Sequence, residues 1–144
     1  MNFDSAVWGP HYWFFLHTIA EIYPNSPDKA TKRKYYDLIH NLPVFIPIGS
    51  MGNRFSELLD KYPVSPYLDN RESFVRWTNF IHNKINEQLG KEEVSLLDSI
   101  DKYYANYKAS PLIMAERLHI KKHHIYISLS LACVILIYVY SKDS

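Results

Sequence analysis

The sequence predicts an all-α protein: a four-helix bundle with a short fifth helix, then a C-terminal transmembrane helix. Three observations predict it. Apolar residues recur at three- and four-residue spacings through the first hundred residues, the period of a helix with one buried face. Prolines and polar capping residues punctuate these stretches, and no strand-like alternation, internal repeat or low-complexity segment competes with them. Residues 125 to 140 read IYISLSLACVILIYVY, without a single charge, the pattern of a membrane span.

The elements follow in order. Pro10 suits the first turn of a helix, after which Trp13, Leu16, His17, Ala20 and Tyr23 share a face and Pro24 ends it. Ser26-Pro27-Asp28 supplies a cap, a first-turn proline and an acid matched to the helix dipole, opening a second helix through Asn41. Two prolines in LPVFIP break the chain. A third helix is expected over about residues 50 to 61, with Phe55, Leu58 and Leu59 inward. After the proline-rich connector YPVSPYLD, residues 69 to 72 read as a capping box opening the longest helix. Its stripe is Phe74, Trp77, Ile81, Ile85 and Leu89, and Gly90 is its stop. Ser95 and Asp98 begin the fifth helix, which reaches about Tyr107.

Composition removes several classes. At 144 residues there is room for one compact domain and an appendage, and 47% hydrophobic with 22% charged residues is the balance of a folding chain. A net charge of +1 and no basic stripe in the first hundred residues give no footprint for nucleic acid. The single cysteine, Cys133, rules out an internal disulfide framework. The N-terminus lacks the basic and apolar segments of a secretory signal.

The uncharged run spans roughly 24 Å as a helix, short for a ~30 Å hydrocarbon core but nearer the thinner ER-type bilayer. Tyr126, Tyr138 and Tyr140 fall where interfacial aromatics belong, and Lys121, Lys122 and Lys142 can snorkel. Its β-branched residues would also suit a buried core helix or strand, but lysine flanks and a helix end four residues before the C-terminus favour the membrane. The expected organisation is a bundle over 1–108, a basic juxtamembrane linker over 109–124 and a tail anchor over 125–140, with the body in the cytosol. His119, His123 and His124 have no carboxylate or cysteine beside them, so the linker reads as basic rather than metal-binding.

The polar residues of the bundle leave two readings open. On the fourth helix His82 and Asn86 lie four apart on one face, with Asn83 a step round. Such a pair beside an apolar stripe describes a solvated helix edge. With Trp13 and His17 of the first helix, the same groups also offer aromatic faces and a few polar donors, which is how a planar ligand is gripped.

The stretches WGPHYWFFLHTIAEIYP, HNLPVFIP and IHNKINEQLGK together resemble the FAD-linked sulfhydryl oxidases of the Erv/ALR type. The resemblance covers about residues 8 to 107. Its most specific parts are W-x-x-x-H on the first helix and H-N-x-x-N-x-x-L-x-K on the fourth. It implies a small helical bundle, a homodimer in many members, that holds FAD and passes electrons from thiols through the flavin to oxygen. It implies that Trp13 and His17 line the flavin, that His82, Asn83, Asn86 and Lys91 hold its adenine, ribose and phosphates, and that Tyr103 stands near the adenine. The WGPHYW opening and the tail resemble members carried by large DNA viruses, which implies a viral or host internal membrane.

The departure lies at the chemistry. The family's P-C-x-x-C-x-x-x-F becomes Pro47-Ile48-Gly-Ser-Met51-Gly-Asn-Arg-Phe55. Met51 takes the place of the thiol nearest the flavin and Ile48 that of its partner. Thiol–disulfide exchange needs a thiolate; a thioether has no proton to lose and isoleucine has no sulfur. Both replacements are apolar and of similar bulk, so packing should survive the loss of the reaction. Cys133 sits in the apolar run and cannot substitute. Two readings follow: an FAD-binding member of the family whose activity is weak or depends on a partner's thiols or a small thiol, and a catalytically inactive, membrane-tethered interaction or dimerisation module.

Overall fold

The computed structural model describes residues 3–108, 124–131 and 140. Among these the fold is helical throughout, with no strand. The chain divides into two compact units, Met1–Tyr103 and Tyr104–Ser144.

Helix α1 (Ser5–Glu21) begins where the Asp4 carboxylate accepts the Ala6 N–H at 2.8 Å. Because Asp4 starts the helix early, Pro10 lies inside it rather than in its first turn. Helix α2 (Lys29–Asn41) is capped by Asp28, which accepts from the Thr31 N–H. The cap is therefore Asp28 and not Ser26: Asp28 keeps extended backbone and its carboxylate lies on the Thr31 N–H of the first turn. LPVF, read as a plain break, forms a 3₁₀ turn, Leu42–Phe45. Helix α3 (Gly49–Lys61) buries Gly52, Phe55, Leu58 and Leu59. A second 3₁₀ turn, Ser65–Tyr67, leads to α4 (Arg71–Gln88). Asn70 caps α4 by accepting from the Ser73 N–H, while Asp69 pairs with Lys32. Helix α5 (Leu96–Ala105) opens on Ser95, whose hydroxyl accepts from the Asp98 N–H, and it stops short of Tyr107.

The core gathers Leu16, Ile19 and Ala20 of α1, and Tyr23 just beyond its C-cap, against Phe74, Trp77 and Ile81 of α4. Ile39, Leu42, Phe55 and Leu59 close the other side. Tyr23 is completely buried, and its hydroxyl is satisfied by donating to the Leu68 carbonyl at 2.8 Å. The α4 stripe is buried only as far as Ile81: Ile85 is half-buried and Leu89 is 41% exposed. Both line a cleft, which is why the stripe leaves the core there.

At the end of α4, Gly90 adopts φ +65, and Lys91 and Gly90 donate backbone N–H groups to the carbonyls of Asn86 and Glu87. This turn needs a left-handed residue, for which glycine carries no Cβ penalty, and it throws Lys91 back toward the helix it follows.

Among the described residues no helix is long and apolar enough to cross a membrane. Half of the expected tail is outside them: residues 132–139, Cys133 included, are not described, and neither are the linker residues 109–123. Residues 124–131 are helical and exposed.

Candidate functional site

A cleft of about 440 Å³ opens between the start of α1, the start of α3 and the end of α4. That volume suits a small-molecule ligand. Of the residues singled out in the sequence, Trp13, His82, Asn86, Lys91 and Met51 line it. Trp13 and His82 form its aromatic wall, with ring centroids 3.9 Å apart and planes within 10°. They meet because α1 and α4 pack against each other at these turns.

His17, Asn83 and Tyr103 do not line the cleft; they stand behind it. His17 Nε2 is 3.2 Å from His82 Nδ1, so one ring donates to the other and fixes the His82 plane. Asn83 donates from Nδ2 to the Val94 carbonyl and accepts the Val94 N–H at Oδ1, both at 2.9 Å. This two-way bond fastens the segment after α4 to the helix, and Lys91 lies in that segment. Tyr103 is buried, and its hydroxyl donates to Thr18 Oγ1 at 3.2 Å, seating α5 on α1. Ile48 is half-buried outside the cleft lining and serves as the N-cap of α3, just before its first turn. Met51 lies inside that turn, and its N–H donates to the Ile48 carbonyl at 2.9 Å.

Trp8, Tyr12 and Arg54 also line the cleft and were not singled out by sequence reasoning. Trp8 and Tyr12 are four apart on α1 and meet edge to face at 5.1 Å, a pairing visible as helical spacing. The Trp8 indole N–H is buried and has no hydrogen-bond partner among the described residues. Arg54 follows Met51 by three residues, one turn along α3.

Electrostatics sets the state of the histidine pair. Burial pushes His82 down from 6.5 to about 4, helped by the His17 ring and by Lys91 and Lys102. Burial lowers His17 as well. At neutral pH both rings are uncharged, as a single shared proton in their contact requires. The unfolded chain takes up these protons below about 6.5, whereas the fold excludes them from His82 until about 4. Stability from the neutral pair is therefore complete above the unfolded value and lost as pH falls through that window. After discounting for partial exposure we expect a loss of ~2 kcal/mol. Thermal melts at stepped pH should fall more steeply for the parent than for His82→Gln; parallel curves would contradict this.

Among the described residues no aspartate or glutamate lines the cleft, while Arg54 and Lys91 do. An aromatic wall, one buried amide and a positive lining fit a planar, anionic ligand.

The model of the Erv1 / Alr family matches residues 10–105. A probable FAD-linked sulfhydryl oxidase of Acanthamoeba polyphaga mimivirus is 33% identical over 95 residues, which are 65% of this chain and 66% of that protein. The mitochondrial FAD-linked sulfhydryl oxidase of Schizosaccharomyces pombe is 34% identical over 88 residues, 61% of this chain and 48% of that protein. An FAD-linked sulfhydryl oxidase of African swine fever virus is 32% identical over 88 residues, covering 61% of this chain and 72% of that protein. The chain thus spans about two thirds of the mimivirus relative and about half of the fission-yeast one. In structure the chain is similar to the yeast Erv1 core, with a TM-score of 0.63 at 22% identity over 75% of this chain and 86% of that one.

Proposed function

The chain belongs to the Erv1/Alr family, and from that premise we propose that its cleft binds FAD and that it takes electrons only from thiols that reach the flavin directly. The observation that carries this is the lining of the cleft by Trp13, His82, Asn86 and Lys91, contributed by three segments and free of acidic residues. FAD has a planar ring system and a diphosphate, and these groups match both. When bound, FAD supplies a two-electron acceptor. The protein's own part is to stack, to orient and to exclude water. His82, held neutral and fixed by His17, presents its ring without a charge that would cost desolvation. Asn83 holds the Val94 segment and through it the Lys91 backbone, so its role toward the ligand is indirect. Tyr103 acts at the same remove, by seating α5.

His82→Ala removes a stacking face and a polar group and should weaken FAD binding by about 1–3 kcal/mol. Titrating FAD into flavin-free protein, with tryptophan emission as readout, measures it. Equal affinity in parent and variant would remove His82 from the site.

A second reading, an inactive interaction module, is favoured by one observation. Helix α1 buries Leu16, Ile19 and Ala20 yet leaves the large apolar residues Val7 and Phe15 exposed, as is Ile22 at its C-cap. Such a helix fits burial on both faces, here against a second copy. A homodimer is compatible with either reading, and flavin uptake separates them.

We also propose that residues 125–140 anchor the protein in a viral or host internal membrane, body cytosolic. Ile125, Ile127, Leu129 and Leu131 are all exposed, and the hydroxyls of Ser128 and Ser130 donate to the helix's own carbonyls of His124 and Tyr126. That is how serine is accommodated in lipid. Alkaline carbonate should leave the full-length protein in the membrane pellet; release into the supernatant would contradict the anchor.

A further inference from the structure

Arg54 is the one cleft residue whose charge the FAD reading leaves unassigned. The other three arginines among the described residues are engaged: Arg33 with Asp37, Arg76 with Glu72, and Arg71 with the Tyr23 carbonyl. Arg54 has no ion pair or hydrogen-bond partner among the described residues, yet it lines the cleft one helical turn beyond Met51. Nothing acidic in the lining can pair with it. A partnerless guanidinium at a cleft lip is a receptor for a planar anion, which it can bind through two parallel N–H donors.

The chemistry of the neighbouring position narrows that anion. With isoleucine and methionine at 48 and 51, no internal sulfur carries electrons into the cleft. The electron donor must itself enter, and a space of about 440 Å³ shared with a flavin ring admits a small molecule rather than the dithiol of a folded protein. We propose that Arg54 selects a small acidic thiol by its carboxylate and positions its sulfur over the Met51 end of the cleft. This rests on the FAD reading. A cation beside the bound sulfur also favours the thiolate over the thiol. The reaction balances as two RSH giving one RSSR, with two protons released and two electrons passed to the flavin. Dioxygen then takes the two electrons and two protons to form hydrogen peroxide.

The test uses full-length protein loaded with FAD and three monothiols compared at equal thiolate concentration: anionic 3-mercaptopropionate, neutral 2-mercaptoethanol and cationic cysteamine. Anaerobic loss of flavin absorbance is the first readout. The parent should prefer the anionic thiol, and Arg54→Glu should lower that preference about tenfold or invert it, as loss of a charge-assisted bond requires. Arg54→Lys should restore part of it, and all rates are compared per bound flavin, so that a change in flavin content does not enter the selectivity. Identical selectivity in parent and Arg54→Glu, or a flavin that no small thiol reduces, overturns the proposal while leaving FAD binding intact.

The second readout needs no flavin. Trp8 and Trp13 line the cleft, so binding of unreactive 3-(methylthio)propionate should quench their emission. Protein that takes up no FAD would sink the parent reading alone; saturable quenching lost in Arg54→Glu would still establish the carboxylate site. Equal quenching in both proteins overturns it.

Discussion

Ile48→Cys combined with Met51→Cys should give the protein, once loaded with FAD, an oxidase activity toward a protein dithiol that the parent is expected to show little of. The backbone is already arranged for the bridge. Ile48 is the N-cap of α3, and the Met51 N–H closes the first turn onto its carbonyl at 2.9 Å. Residues related in this way fall within the Cα separation of about 4.4–6.8 Å that a disulfide spans, and the extended backbone of Ile48, outside the helix proper, lets the two Cβ atoms close to the ~4 Å the bond requires. The helix N-terminus lowers the pKa of a thiol placed there and so raises its thiolate fraction. Reduced, unfolded ribonuclease is a suitable substrate, being too large to enter the cleft. Oxygen consumption should rise by about tenfold or more over the parent, since a tethered dithiol replaces an encounter in solution. Each single variant should remain at the parent level, because relay needs both sulfurs. Equal turnover in the parent would show an electron route that bypasses position 51.

Gly52→Ala should be among the most damaging single-methyl changes in the bundle. A Cβ at this position would lie 2.6 Å from the Pro43 carbonyl oxygen. That oxygen belongs to the 3₁₀ turn preceding α3, so the obstacle is backbone and cannot swing aside. Either α3 backs away from the turn or the turn deforms, and both disturb the edge of the cleft that carries Met51. The expected cost is about 1–3 kcal/mol, in the range of overpacked cores, read as a lower thermal midpoint. Gly49→Ala is the control: nothing lies within 4 Å of a Cβ there, and its melt should match the parent's.

The helices were legible because each is written twice, once in apolar spacing and once in its stops. Phe55, Leu58 and Leu59 face inward as their spacing demands, and Gly90 ends α4 in the left-handed conformation its identity suggests. Caps were read one or two residues early, at Ser26 and Asp69, because several adjacent polar residues compete and only geometry decides among them. The 3₁₀ turn over Leu42–Phe45 was hidden, since a proline there looks the same in a break and in a tight turn.

For the site, the motif residues divide in a way that spacing does not show. Trp13, His82, Asn86 and Lys91 reach the cleft, whereas His17, Asn83 and Tyr103 support it from behind. Asn83 is the clearest case: its partner Val94 lies eleven residues on, across a loop whose path the sequence does not declare. Arg54 escaped notice because an exposed arginine on an amphipathic helix is ordinary. Its meaning comes from what lines the space beside it.

A flavin cleft retained without its cysteine relay has its plainest signature in flavin stoichiometry. Full-length protein purified in detergent from FAD-replete cells should show an absorbance band near 450 nm, roughly where the oxidised cofactor itself absorbs. The band should correspond to about one FAD per chain, as the cleft of ligand size between α1, α3 and α4 admits. A folded protein that carries no flavin and takes up none on prolonged exposure to excess FAD would contradict the account.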